Sequence, residues 1–175
     1  MAEEEIDALV RGDPAAFRRL VLATSQKLVR LAARIIGTVE DGEDVVQEAY
    51  VKAHRALVEG RFDRRSRIDT WLYRIVANSA IDALRAGARR PKSVETIPEP
   101  SWDGVGAAEA RVALAELEAL LGGLPHDQRA ALVLKSVEGL SSSEIAEIMG
   151  TTEGAVEQRL VRARATLKDW GRNDG

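Results

Sequence analysis

The sequence predicts an all-α protein, two small helical domains joined by a flexible linker. Ala, Leu, Glu and Arg are abundant in the 175 residues while aromatic residues make up only 4%, so signals that favour strands are scarce. Apolar positions recur at three- and four-residue spacing in both halves of the chain, the period of a helix with one buried face. Between the halves, GARRPKSVETIPEPSWDGVG (residues 87–106) concentrates Pro, Gly, Ser and charge and loses that period. Gly87 and Pro91 end the helix before it. The division is therefore residues 1–88, a linker over 89–106, and residues 107–175. Hydrophobic residues make up 45% of the chain, enough for each half to bury a core.

In the first half, Asp13-Pro14 sets an N-cap before a first-turn proline. The helix opened there carries Phe17, Leu20, Val21 and Leu28, and Leu31, Ile35 and Ile36 continue its spacing to Gly37. The next helix starts near Asp41. Its Val46, Ala49, Tyr50, Ala53 and Leu57 share one face, while Asp44, Gln47, Glu48 and Lys52 share another. After the loop RFDRRSR comes IDTWLYRIVANSAIDALR, with Ile68, Trp71, Leu72, Ile75 and Leu84 inward and Tyr73 outward.

The second half reads as ARVALAELEALLGGLP, HDQRAALVLKSVEG, SSSEIAEIMG and TTEGAVEQRLVRARATLKDW. The last two form a helix-turn-helix pattern. Ser141 and Ser142 can cap a short helix that buries Ile145, Ala146 and Ile148; Gly150 permits a left-handed turn; Thr151 or Thr152 caps the second helix. Val156, Leu160 and Ala163 bury that second helix, leaving Glu153, Glu157, Gln158, Arg159 and Arg162 outward. An ordinary helical hairpin with a solvated basic face fits the same pattern.

Several function classes fall away. The chain has no cysteine and two isolated histidines, His54 and His126, so thiol nucleophiles, disulfides and thiolate metal sites are excluded and no metal or cofactor is implied. No apolar run reaches membrane-spanning length, and MAEEEIDALV is acidic instead of signal-like, so a cytoplasmic protein with no membrane insertion is expected. The net charge of −3 hides a segregation. Residues 61–92 hold nine basic against three acidic residues, a balance of +6, and residues 93–120 hold one against six, a balance of −5. A polyanion-binding face in an otherwise acidic protein follows.

These motifs resemble a known family. GDPAAFRRLV, DGEDVVQEAYVKAHRAL and FDRRSRIDTWLYRIVANSAIDALR are similar to region 2 of extracytoplasmic-function (ECF) sigma factors, in the sigma-70 family of bacterial RNA polymerase. LPHDQRAALVLKSVEGLSSSEIAEIMGTTEGAVEQRLVRARATL is similar to their region 4. The resemblance covers nearly the whole chain apart from the linker and the two tips. It implies a transcription-initiation subunit, not an enzyme, with core RNA polymerase (its β′ coiled-coil and β flap), promoter DNA and an anti-sigma factor as partners. Region 2 would dock on the β′ coiled-coil and open the −10 element; region 4 would read the −35 element as duplex; the linker would thread toward the active-site cleft.

Asp44, Gln47, Glu48 and Val51 form a strip at i, i+3, i+4 and i+7. It suits docking on a basic partner helix, and the match of DVVQEAY to the family favours this over a merely solvated face. For the −10 DNA, the resemblance points to the loop arginines Arg61, Arg64, Arg65 and Arg67. Along the following helix Arg74, Asn78, Asp82 and Arg85 make one stripe, able to hold phosphates and a base edge, with outward Tyr73 available to stack. Surface pairs among Arg74, Asp82 and Arg85 are the alternative. For the −35 duplex the candidates are Thr152, Glu157, Gln158, Arg159, Val161 and Arg162. Arg162 suits guanine, Gln158 adenine and Arg159 phosphate. Glu157 departs from the family's usual Lys or Arg: it would repel phosphate yet can accept from cytosine. Glu95, Glu99 and Asp103 of the linker would either occupy a basic nucleic-acid channel or serve as a solvated tether. A free-standing helix-turn-helix regulator is the competing function, but the N-terminal half lacks an evident dimerisation heptad.

Overall fold

The computed structural model describes residues 3–87 and 120–173, and all seven complete elements there are helices. Helix α1 (Glu3–Val10) puts three glutamates in its first turn, where they complement the helix dipole, and buries Leu9. The sequence reading took this acidic stretch as unlike a signal segment and assigned it no helix. Helix α2 (Pro14–Ile36) begins as expected: Asp13 Oδ1 accepts from the Ala15 N–H at 2.8 Å, and Pro14 fills the first turn. It ends at Gly37, whose φ of 111° is left-handed and whose N–H reaches the Ala33 carbonyl.

Helix α3 (Val39–Val58) starts two residues before Asp41. Thr38 is the N-cap: its Oγ1 accepts from the Asp41 N–H at 3.2 Å and donates to Asp41 Oδ2 at 2.7 Å. Asp41 is therefore a third-position partner of the cap instead of the start. Helix α4 (Ile68–Gly87) lies across α2 and α3. Leu20, Leu31, Ile35, Leu57 and Leu72 are buried between these helices, each contributing roughly 1.5–3 kcal/mol of transfer free energy.

In the second unit, residues 120–122 are helical. Helices α5 (His126–Ser136), α6 (Ser142–Met149) and α7 (Glu153–Asn173) follow. A capping box fixes the start of α6, with Ser141 and Glu144 each accepting from the other's backbone N–H. Gly150, at φ 60°, makes the turn, a conformation that costs a residue with a Cβ roughly 1 kcal/mol or more. Thr152 Oγ1 then accepts from the Ala155 N–H at 3.3 Å, and α7 buries Val156, Leu160 and Ala163.

The two units touch. Helix α5 packs on α2 and α4, α6 packs on α4, and the buried apolar side chains of both units form one contiguous cluster. At the firmest point the side chain of Arg129, only 5% exposed, donates from Nε to the Arg34 carbonyl at 2.8 Å. That carbonyl belongs to the last turn of α2, where the helix dipole favours a cation. The linker of residues 89–106, with Glu95, Glu99 and Asp103, lies outside the described residues.

Candidate nucleic-acid interface

The polar strip on α3 is exposed as its spacing requires. Asp44, Gln47, Glu48 and Val51 all face solvent, Val51 at 60%, because Val45, Val46, Ala49 and Ala53 turn the opposite face into the core. An apolar edge that the sequence reading missed runs beside the strip. Val58 is 52% exposed, and His54 stands edge-on to Phe17 with ring centroids 4.8 Å apart. The strip thus presents acid and amide groups next to apolar surface, a combination suited to a cationic amphipathic helix.

The loop arginines Arg61, Arg64, Arg65 and Arg67 are exposed and each has an acidic neighbour. Arg61 pairs with Glu59, Arg64 with Asp7 at 2.5 Å, Arg65 with Asp63 at 3.3 Å and Arg67 with Asp69 at 3.3 Å. Exposed pairs of this kind are worth little and exchange readily for phosphate. Arg64 holds φ 58°, unusual for a residue with a side chain, and its contact with α1 ties the loop to the N-terminal helix.

On α4 the structure overturns one of the two aromatic expectations, that for Tyr73, and sets Trp71 at the edge of the core. Tyr73, expected outward, is 8% exposed. Burial, with the Glu138 carboxylate beside it, pushes its hydroxyl well above the ordinary tyrosine range, and Lys27 Nζ lies 5.8 Å from its ring centroid. In this arrangement Tyr73 cannot stack on a base. Trp71, expected in the core, is half-buried and leans on Phe62 with centroids 5.1 Å apart. The reason is tertiary: Tyr73 sits beside Lys27 of α2 and Glu138 of the second unit, neighbours that no helical period within α4 records.

The stripe Arg74–Asn78–Asp82–Arg85 is real as a surface row, with Asn78 and Asp82 exposed. Its arginines, however, reach acids of the second unit more closely than Asp82. Arg74 Nη1 lies 3.3 Å from Glu147 Oε2; Arg85 Nε lies 3.4 Å from Asp127 Oδ1, against 4.0 Å to Asp82; and Arg85 Nη2 donates to the Met149 carbonyl at 3.4 Å.

On the helix-turn-helix, Gln158, Val161 and Arg162 face solvent, Val161 at 63%. Thr152 is exposed and spends its hydroxyl on the cap. Two residues behave differently from the expectation. Arg159 is only half-exposed: Nη1 donates to Thr151 Oγ1 and Nη2 to Asp127 Oδ2, both at 3.2 Å. Glu157 accepts a hydrogen bond from the hydroxyl of Ser142, a residue only 6% exposed at the start of α6. The carboxylate that looked out of place for DNA therefore ties the two helices of the motif together. Among the described residues no group of three or more His, Cys, Asp or Glu is placed to hold a metal ion, and no helix is long and apolar enough to cross a membrane.

Comparison with known proteins fits this geometry. Residues 20–90 match the family model of sigma-70 region 2, and residues 114–167 that of sigma-70 region 4. The chain is 36% identical to the RNA polymerase sigma-H factor of Pseudomonas aeruginosa, covering 94% of this chain and 91% of that protein. It is 37% identical to the ECF RNA polymerase sigma-E factor of Escherichia coli, covering 93% and 90%. Among solved structures, CnrH in complex with the cytosolic domain of CnrY superposes with a TM-score of 0.67 at 30% identity, covering 98% and 97%. The sigma factor RpoE from Bartonella quintana, solved with the anti-sigma factor NepR, shares the fold at a TM-score of 0.67 and 24% identity, over 91% and 98% of the two chains. With region 2 and region 4 in order on one chain, matched across nine-tenths of such relatives, this protein belongs to the ECF RNA polymerase sigma factors of the sigma-70 family.

Proposed function

We propose that the chain loads onto core RNA polymerase through the α3 strip, opens promoter DNA with the α4 stripe and the Arg61–Arg67 loop, and reads the −35 duplex with α7. The observation that carries this reading is the order of the two matched regions together with the exposed strip and rows just described. Asp44, Gln47, Glu48 and Val51 would meet the β′ coiled-coil. Arg61, Arg64, Arg65, Arg67, Arg74, Asn78 and Arg85 would hold the opened −10 strand, with Asp82 setting the position of Arg85. Gln158, Val161 and Arg162 are the exposed set on α7 for base edges, and the second unit would also contact the β flap. Arg159 would reach phosphate after leaving Asp127, and Tyr73 would stack only after leaving its buried position.

Residues 1–88 and 107–175 then act as the two promoter-binding domains and 89–106 as the tether. The protein works in the cytoplasm, beside the polymerase, and has no catalytic activity of its own. CnrH was solved with the cytosolic domain of a second protein, and this supports a comparable anti-sigma partner here. The test is promoter selection: core polymerase is given this chain and a randomised promoter library, and transcribed templates are sequenced. Enrichment of paired −10 and −35 elements is expected. Transcripts no different from those of core polymerase alone would end the reading.

A further inference from the structure

A cavity of about 610 Å³ opens where α1, α2 and α4 meet the turn that follows α5. Its apolar lining comes from Leu20, Leu28 and Leu140 and from the ring of Tyr73. Gly139, at φ 69°, bends the chain between Glu138 and Leu140, and both of these neighbours line the cavity. Most of the charged groups around it are already spent. Glu5 holds Arg19 at 3.0 Å, and Asp69 holds Arg67 at 3.3 Å. Of the buried and charged groups, three remain. Tyr73 is 8% exposed, and its hydroxyl lies buried without a hydrogen-bond partner, which costs free energy until an acceptor is supplied. Lys27 Nζ stands 5.8 Å from the centroid of the same ring, and the Glu138 carboxylate lies near the hydroxyl. Among the described residues neither Lys27 nor Glu138 has an ion-pair partner. The unmatched set is one cation, one anion and one neutral donor over an apolar floor.

We propose that this cavity binds a free α-amino acid with an apolar side chain. The ligand's ammonium would meet Glu138. Its carboxylate would meet Lys27 and accept from the Tyr73 hydroxyl, and its side chain would lie against Leu20, Leu28 and Leu140. Charge balance selects the zwitterion. A simple amine would pair with Glu138 but face Lys27 uncompensated, and a simple carboxylate would pair with Lys27 but face Glu138. Charge-assisted hydrogen bonds at both ends fix the orientation, while the apolar floor supplies burial. Burial and the adjacent Glu138 carboxylate push the Tyr73 hydroxyl far above its ordinary range, so it stays protonated and able to donate at neutral pH. None of the strip residues on α3 or of the exposed set on α7 lines the cavity, so binding there is independent of both surfaces.

The test is an NMR titration of the isotope-labelled full-length chain with L-leucine and L-phenylalanine, alongside phenethylamine and hydrocinnamate, which each keep only one of the two charges. The amino acids should bind with a dissociation constant on the order of a millimolar, with amide shifts centred on Tyr73, Glu138 and Leu140. Each single-charge probe should bind about tenfold more weakly than L-phenylalanine. Tyr73→Phe, which keeps the ring, should weaken L-phenylalanine about fivefold. Glu138→Gln should weaken it about tenfold while leaving hydrocinnamate no weaker, and Lys27→Gln should weaken it similarly while leaving phenethylamine no weaker. This crossed pattern separates ligand contact from a general loosening of the fold. Absence of saturable shifts at the cavity, single-charge probes that bind as tightly as L-phenylalanine, or variants that weaken all probes alike would overturn the proposal.

Discussion

At the residue scale, Glu157 shows how a side chain that breaks a family pattern finds its reason in the fold. The Ser142 hydroxyl is buried and donates to the Glu157 carboxylate across the helix-turn-helix. Replacing Glu157 with Ala leaves a buried donor without its acceptor, which should lower unfolding stability by about 1 kcal/mol; Gln, which keeps a carbonyl oxygen, should lose less. Chemical denaturation of the three proteins reads this directly, and equal stabilities would show that the tie carries nothing. Glu144 supplies a pH-dependent counterpart. Hydrogen bonds from the Ser141 N–H and hydroxyl hold its carboxyl below its ordinary value of 4.5. A depressed carboxylate stabilises the fold above that ordinary value and loses its effect as pH falls through the lowered one. The wild type should therefore lose stability more steeply than Glu144→Gln as pH falls below the ordinary 4.5, as thermal melts over an acid series will show. The local chemistry of both sites, a Ser-x-x-Glu box and a turn glycine, is legible in the sequence. The Ser142–Glu157 bond is not, because it joins positions fifteen residues apart on different helices.

At the scale of the element, α3 divides its two faces as its period requires. The core face buries Val45, Val46, Ala49, Ala53 and Leu57, while Asp44, Gln47, Glu48 and Val51 stand free of the packing. Glu48→Lys should therefore leave helicity and thermal stability near wild type while weakening core-polymerase binding about tenfold or more, measured by titration with labelled core enzyme. Binding unchanged by this reversal would remove the strip from the docking surface. Helix α4 teaches the opposite lesson. Its ends and core side are readable from Ile68, Leu72 and Leu84, yet Tyr73 is buried where its period points outward, and Trp71 is half-buried at the edge of the core. A helical period tells which residues share a face, but not what other elements pack on that face. Helix α1 went unread because its eight residues offer one fully buried leucine, too little for a period to register.

At the scale of the whole molecule, the sequence states two helical units and a tether, and the structure adds the seam between them. Arg129 on the α2 terminus, and Arg74 and Arg85 on acids 73 and 42 residues away, are contacts between distant positions that no local pattern encodes. This chain makes core polymerase open promoters, and strand opening can be observed as permanganate reactivity of thymines around the −10 element. On a selected promoter, core polymerase with this chain should render those thymines reactive, while either component alone, or the complex carrying Arg74→Ala/Arg85→Ala, should leave them largely protected. Thymines that stay unreactive with the wild-type complex, or react equally without this chain, would contradict the account.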